Sequence, residues 1–158
     1  MKLLLAFVSI FSLQSFASLE LGSEVLANRT EKSIEFNWNS NRSYYACSYA
    51  EGQARKYLRA LGAQDISTDC RGGIEYGRPQ WSWMPLSLDA QFTVLEQNDN
   101  GSEPVTNQKV VLRGNESCEF NVKLIQKLLA QVNHTLVKKS VNCFEARGSY
   151  RFEVEVVK

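Results

Sequence analysis

A single histidine, His134, serves the whole 158-residue chain, and no two cysteines are spaced C-x-x-C. Zinc needs several ligands at short spacing, and four cysteines about two dozen residues apart with one histidine do not provide them. A thiol-redox role lacks its usual C-x-x-C signature. No G-x-S-x-G nucleophile motif is present, although a Ser-His-Asp constellation can assemble from distant positions. Gly72-Gly73 stands outside the strand–loop–helix context of a phosphate site and reads as a turn. No cofactor or metal is therefore expected.

An excess of charge of either sign is also missing. Lys and Arg number 18 against 17 Asp and Glu, and removal of Lys2 with a leader would leave 17 against 17. Nothing in that balance suits nucleic acid or an acidic membrane surface. Apart from the N-terminus there is no long apolar run, so no stable membrane insertion is expected after leader removal.

That N-terminus, Met1-Lys2 followed by Leu3-Leu4-Leu5-Ala6-Phe7-Val8 and a small-residue exit at Ser15-Phe16-Ala17, has the form of a secretory signal peptide. Residues 1–17 are assigned to it, and 18–158 to one disulfide-stapled domain of ordinary size. Periplasmic or secreted residence follows, in keeping with an even number of cysteines used as staples. Asn28, Asn41, Asn100, Asn115 and Asn133 each open an Asn-x-Ser/Thr triplet. The short leucine-rich leader favours a bacterial source, where such triplets carry no glycan.

Within the mature chain one unit occurs twice, a cysteine followed by an amphipathic helix and a strand returning to a second cysteine. Without a gap, Cys47 falls on Cys118, Ala54 on Ile125, Tyr57-Leu58 on Leu128-Leu129, Leu61 on Val132 and Gly62 on Asn133. Ala50, Ala54, Tyr57, Leu58 and Leu61 form one helical apolar stripe. Ser48 with Glu51 has the pattern of a capping box. Gly62 and Asn133 are the residue types that end helices in the left-handed conformation. A helix of about 14 residues rises about 21 Å. A returning strand at roughly 3.3 Å per residue spans a similar length. The match favours Cys47–Cys70 and Cys118–Cys143 among the three pairings four cysteines allow.

Alternation marks the strands. Ile34, Phe36 and Trp38 share one face, as do Leu86, Leu88, Ala90, Phe92 and Val94, and Tyr150, Phe152, Val154 and Val156. Lys109 to Arg113 is a further strand, and Val137, Val141 and Cys143 are expected on one face of another. Residues 98–107 read as an exposed connection. Strands joined by short turns give a mainly antiparallel sheet, whose buried face two helices would cover. The expected fold is a two-layer α+β sandwich with both helices on one face, approximately duplicated over about 33–96 and 109–158.

The segment from Tyr76 to Pro85 has no counterpart in the second copy. Tyr76, Arg78, Trp81 and Trp83 make it the candidate binding loop, since amphipathic aromatics on loops often form contact surfaces. The competing and more economical role is a plug, in which Trp81 and Trp83 close one end of the core. His134, just past the second helix, reads as structural, its charge favoured at a helix terminus.

The run Cys70-Arg71-Gly72-Gly73-Ile74, the strand Leu88–Leu95, the second Cys–helix–Cys unit and the closing strand from Tyr150 to Val156 resemble a group of small exported proteobacterial proteins of unassigned function. That resemblance implies an envelope or secreted location and carries no catalytic residues. Two function classes follow. One is an exported non-catalytic binding or interaction module for a protein or small ligand, using the aromatic loop or an open sheet edge. The alternative is an envelope hydrolase whose site is assembled only in three dimensions.

Overall fold

The computed structural model describes residues 25–40, 44–74, 84–144 and 148–158. The expected leader and Tyr76, Arg78, Trp81 and Trp83 lie outside those residues. The elements are β1 (Val25–Trp38), α1 (Cys47–Ala60), β2 (Gln64–Gly73), β3 (Met84–Gln97), β4 (Glu103–Val105), β5 (Asn107–Gly114), α2 (Cys118–Leu129), β6 (His134–Asn142) and β7 (Ser149–Val157).

Every strand pairing is antiparallel, which gives the α+β class expected. The hydrogen bonds divide the strands into two sheets rather than one, in the orders β2-β3-β1-β4 and β5-β7-β6. The division falls inside one stretch of chain. Val105 pairs with Val25 on β1, while the next residue, Thr106, exchanges two backbone hydrogen bonds with Lys158 at the end of β7. β4 and β5 are thus one strand that leaves the first sheet and enters the second at Thr106. Residues 98–107, expected as a connection, contribute β4 because Glu103–Val105 meets the start of β1 in register.

Alternation decides what each strand buries. Ile34, Phe36 and Trp38 of β1, Leu86 to Val94 of β3 and Tyr150 to Val156 of β7 enter one hydrophobic core with both helices. α1 buries Ala50, Ala54, Tyr57 and Leu58, and α2 buries Asn121, Ile125, Leu128 and Leu129 at the same spacing. A smaller cluster of Ala27, Val105 and Val157 with Leu95 packs where the two sheets adjoin.

The two halves share their wiring. Each runs strand, helix, strand, strand, with the last strand central and the other two beside it. Cys47–Cys70 ties α1 to β2, and Cys118–Cys143 ties α2 to the end of β6. Both pairings are the ones that helix and strand lengths favour.

Local expectations fail where tertiary contacts supply an alternative. The Ser48–Glu51 capping box does not form, because the helix begins two residues earlier than that box requires; Ala46 is the N-cap and makes no side-chain cap. Glu51 instead meets Arg55 at 3.3 Å on the helix surface. Gly62 does take the left-handed conformation (φ 87°), but Asn133 does not, and α2 ends at Leu129. The expected turn at Gly72-Gly73 is the end of β2. There the Ile74 N–H donates to the Tyr45 carbonyl, and a Cβ on Gly73 would stand 2.3 Å from that oxygen. Glycine is needed for close approach as well as for its φ of 73°.

Candidate interaction surface

Four places among the described residues gather chemistry that could serve a site. The first is the base of the sequence-predicted aromatic loop. Its flanks, Gly73 and Met84-Pro85, line a cavity of about 270 Å³ with Trp38, Tyr44 and Tyr45. Trp38 and Tyr45 continue inward as a ring cluster with Phe36, Tyr49 and Phe120. The Lys123 ammonium stands 4.9 Å from the Trp38 ring centre, within reach of a cation–π attraction.

The second is a polar cluster between the two halves. The Tyr57 and Tyr150 hydroxyls lie 2.6 Å apart in the core. The Asn121 side-chain amide donates to the Glu116 carbonyl and the Tyr49 hydroxyl, while its Oδ1 has no partner among the described residues. Burial, then the bond to Tyr150, pushes the Tyr57 hydroxyl far above the ordinary phenol range; burial also raises Tyr150. This arrangement holds neutral phenols together and offers no proton near neutrality. A raised phenol contributes stability that is complete below its unfolded value of 10.0 and lost as pH climbs above it. Tyr57→Phe should cost about 1–3 kcal/mol by leaving the Tyr150 hydroxyl without its buried partner. The Tyr57→Phe/Tyr150→Phe pair should cost less than the sum of the single changes. The check is a double-mutant cycle by denaturant titration, and the double variant should also resist alkaline unfolding better than the wild type.

The third is the outer face of the first sheet, where Glu35, Asp89 and Asp69 sit directly opposite one another across β1, β3 and β2. Arg71 partly neutralises this row through Asp69 at 3.1 Å. No group of three or more His, Cys, Asp or Glu suited to a metal ion occurs among the described residues. His134 opens β6, and its Nδ1 lies 2.9 Å from the Val132 carbonyl, a local contact that fixes the ring.

The fourth is β6, and here the surface departs from what sequence alternation implies. Val137, Val141 and Cys143 do not share a buried face, because a register shift between Leu136 and Lys138 sets Val137 out of phase. Leu136, Lys139 and Val141 are the residues opposite the buried Val154, Phe152 and Tyr150. They nevertheless stay open to solvent, with Leu136 48 % and Val141 38 % exposed. The cause is helix placement. α1 packs chiefly along β2, whereas α2 divides its contacts among β1, β6, β7 and α1. The inner side of β6 is only partly covered, and the Lys139 ammonium sits 5.6 Å from the Phe152 ring centre.

Among the described residues β6 is also an outer strand, hydrogen-bonded only to β7 within its sheet. That edge, without a strand partner among the described residues, carries exposed apolar side chains and is continued by Phe144, which is 98 % exposed. An edge of this kind can accept another extended chain. On the outer side of the neighbouring β7, Glu153 is clamped by Lys109 at 2.9 Å and Arg151 at 2.8 Å. Those bonds hold its carboxyl below the usual range. The periodicity of 134–143 gave no sign of this surface, since exposure depends on which strand α2 covers.

No helix among the described residues is long and apolar enough to cross a membrane. Two disulfides and no free cysteine among those residues fit an oxidising compartment. Comparison of the chain with protein-family models, with curated proteins and with solved structures found no match.

Proposed function

We propose that this protein is an exported interaction module that binds an extended polypeptide segment along the free edge of β6. The observation that carries the reading is the exposed β6, an outer strand whose Leu136, Val137 and Val141 are all more than a third exposed. Main-chain pairing would supply affinity, and the side chains of Leu136 and Val141 would select apolar residues at alternate positions of the partner. The leader-like N-terminus and the disulfides support export to the periplasm or the exterior. The common wiring of the two halves supports their origin as copies of one element, the second of which left its returning strand open.

Selection of random displayed peptides on the oxidised protein tests the reading. Selected peptides should lose at least about tenfold in affinity for Val141→Asp, with the melting temperature little changed because surface substitutions usually stay within about 0.5 kcal/mol. Gln91→Arg, on the far side of the first sheet, should have no effect. Peptides that ignore Val141→Asp but are lost with Trp81→Ala or Trp83→Ala would move the contact surface to the aromatic loop and overturn the assignment to β6. If both tryptophan variants instead lose several kcal/mol of stability, the loop is a plug.

A further inference from the structure

Among the described residues each sheet has two outer strands, β2 and β4 in the first and β5 and β6 in the second, and β2 and β6 carry charges of opposite sign. β6 presents Lys138 and Lys139, both exposed. β2 presents Asp65 and Asp69, also exposed, and Asp69 is the end of the carboxylate row that continues through Asp89 to Glu35. Building on the reading of β6 as a strand-accepting edge, we propose that its partner is the β2 edge of a second copy of this chain, joined head to tail.

Three features favour that occupant over like-with-like pairing. An antiparallel β6–β6 contact about a two-fold axis would bring the Lys138-Lys139 pair onto its own counterpart, and like charges directly opposite are destabilising. A β2–β2 contact would do the same with Asp65 and Asp69. The heterologous contact has no such conflict. In the antiparallel register that sets Lys138 opposite Asp69, Lys139 falls opposite Thr68 and Val141 opposite Ile66. Ile66 is itself partly buried against the core, so the inner apolar sides of the two sheets would run on from one copy to the next. The Asp69–Arg71 ion pair is no obstacle. Both side chains are largely exposed, and surface pairs of that kind are worth little.

The lysines and the bulge at Val137 are devices that keep an edge from pairing indiscriminately. Here they reject a basic or identical strand and admit an acidic one, so that specificity is built from repulsion as well as attraction. A head-to-tail contact does not close on itself unless its rotation happens to form a ring, so it yields a concentration-dependent series of oligomers. One strand pair with a few apolar contacts is smaller than a standard interface, and association should occur on the order of tens of micromolar.

Sedimentation velocity on the oxidised protein alone, over a concentration series, is the test. The weight-average mass should rise with concentration. Lys138→Glu/Lys139→Glu and Asp69→Lys should each weaken association by more than about tenfold, because each now sets like charges together. Mixing the two variants should restore association, since each then offers an edge of the sign the other needs. Thermal melts matching the wild type would show that both variants are folded. Val141→Asp provides a further variant that should dissociate the oligomers without reversing a lysine. A wild type that stays monomeric throughout, variants that associate unchanged, or a mixture that fails to recover would each overturn the proposal. If the protein is monomeric but selected peptides still require Val141, self-association falls while the strand-accepting edge stands. If peptide binding also ignores Val141, both fall.

Discussion

Reduction of the oxidised protein should unfold it or leave it only marginally folded. Cys47–Cys70 and Cys118–Cys143 close loops with sequence separations of 23 and 25 residues. In the chain-entropy description, each such loop restricts the unfolded ensemble by roughly 3 kcal/mol. Two independent loops together approach the lower part of the roughly 5–15 kcal/mol that separates folded from unfolded states in ordinary domains. The two bridges also occupy corresponding positions, each joining the first turn of a helix to the strand that returns along it. Cys47→Ala/Cys70→Ala and Cys118→Ala/Cys143→Ala should each lose about 2–4 kcal/mol in denaturant titration. The reduced wild type should lose about as much as both pairs combined. A reduced protein with an unchanged midpoint would show that the packed core alone suffices.

Truncation of Phe120 should be the most damaging single change outside the cysteines. Its ring lies 4.4 Å from Tyr45, 5.3 Å from both Phe36 and Trp38, and 5.7 Å from Tyr49, centre to centre. It thereby joins α2 to β1 and to the start of α1, across the two halves. It is fully buried. Phe120→Ala removes that contact and leaves a cavity bordered by rings that cannot all collapse into it, at a cost of about 3–5 kcal/mol. A fall in melting temperature on the order of 10 °C follows for a chain of this length. Phe144→Ala deletes the same side chain from a position 98 % exposed and should stay within about 0.5 kcal/mol. Comparable losses from the two would mean that Phe120 is not where the halves are joined.

The candidate surface divides differently between sequence and structure than the fold does. The alternation in β1, β3 and β7 was legible because a strand has a strict two-residue period, and all three have one buried face. β6 carries the same kinds of residue, but it lost its phase to a bulge and its cover to the placement of α2. Neither leaves a mark on the local pattern. The aromatic segment from Tyr76 to Pro85 is legible in the sequence by its composition alone, and Tyr76 to Trp83 lie outside the described residues.

By itself the sequence determined the α+β class, the two helices, the disulfide pairing and most of the core, because these follow from short-range periods and from lengths that must match. Ser48 and Asn133 are not the caps their types suggest, because the Ala46 carbonyl already accepts from Tyr49 and Ala50 at the start of α1, and α2 ends earlier with Ala130 as its C-cap. Only the tertiary structure decided that the strand through Thr106 passes from one sheet to the other, that Phe120 packs against rings of the other half, and that β6 stays largely open to solvent. Each of these depends on how two helices and two sheets share a single core, a competition among distant surfaces that local pattern does not record.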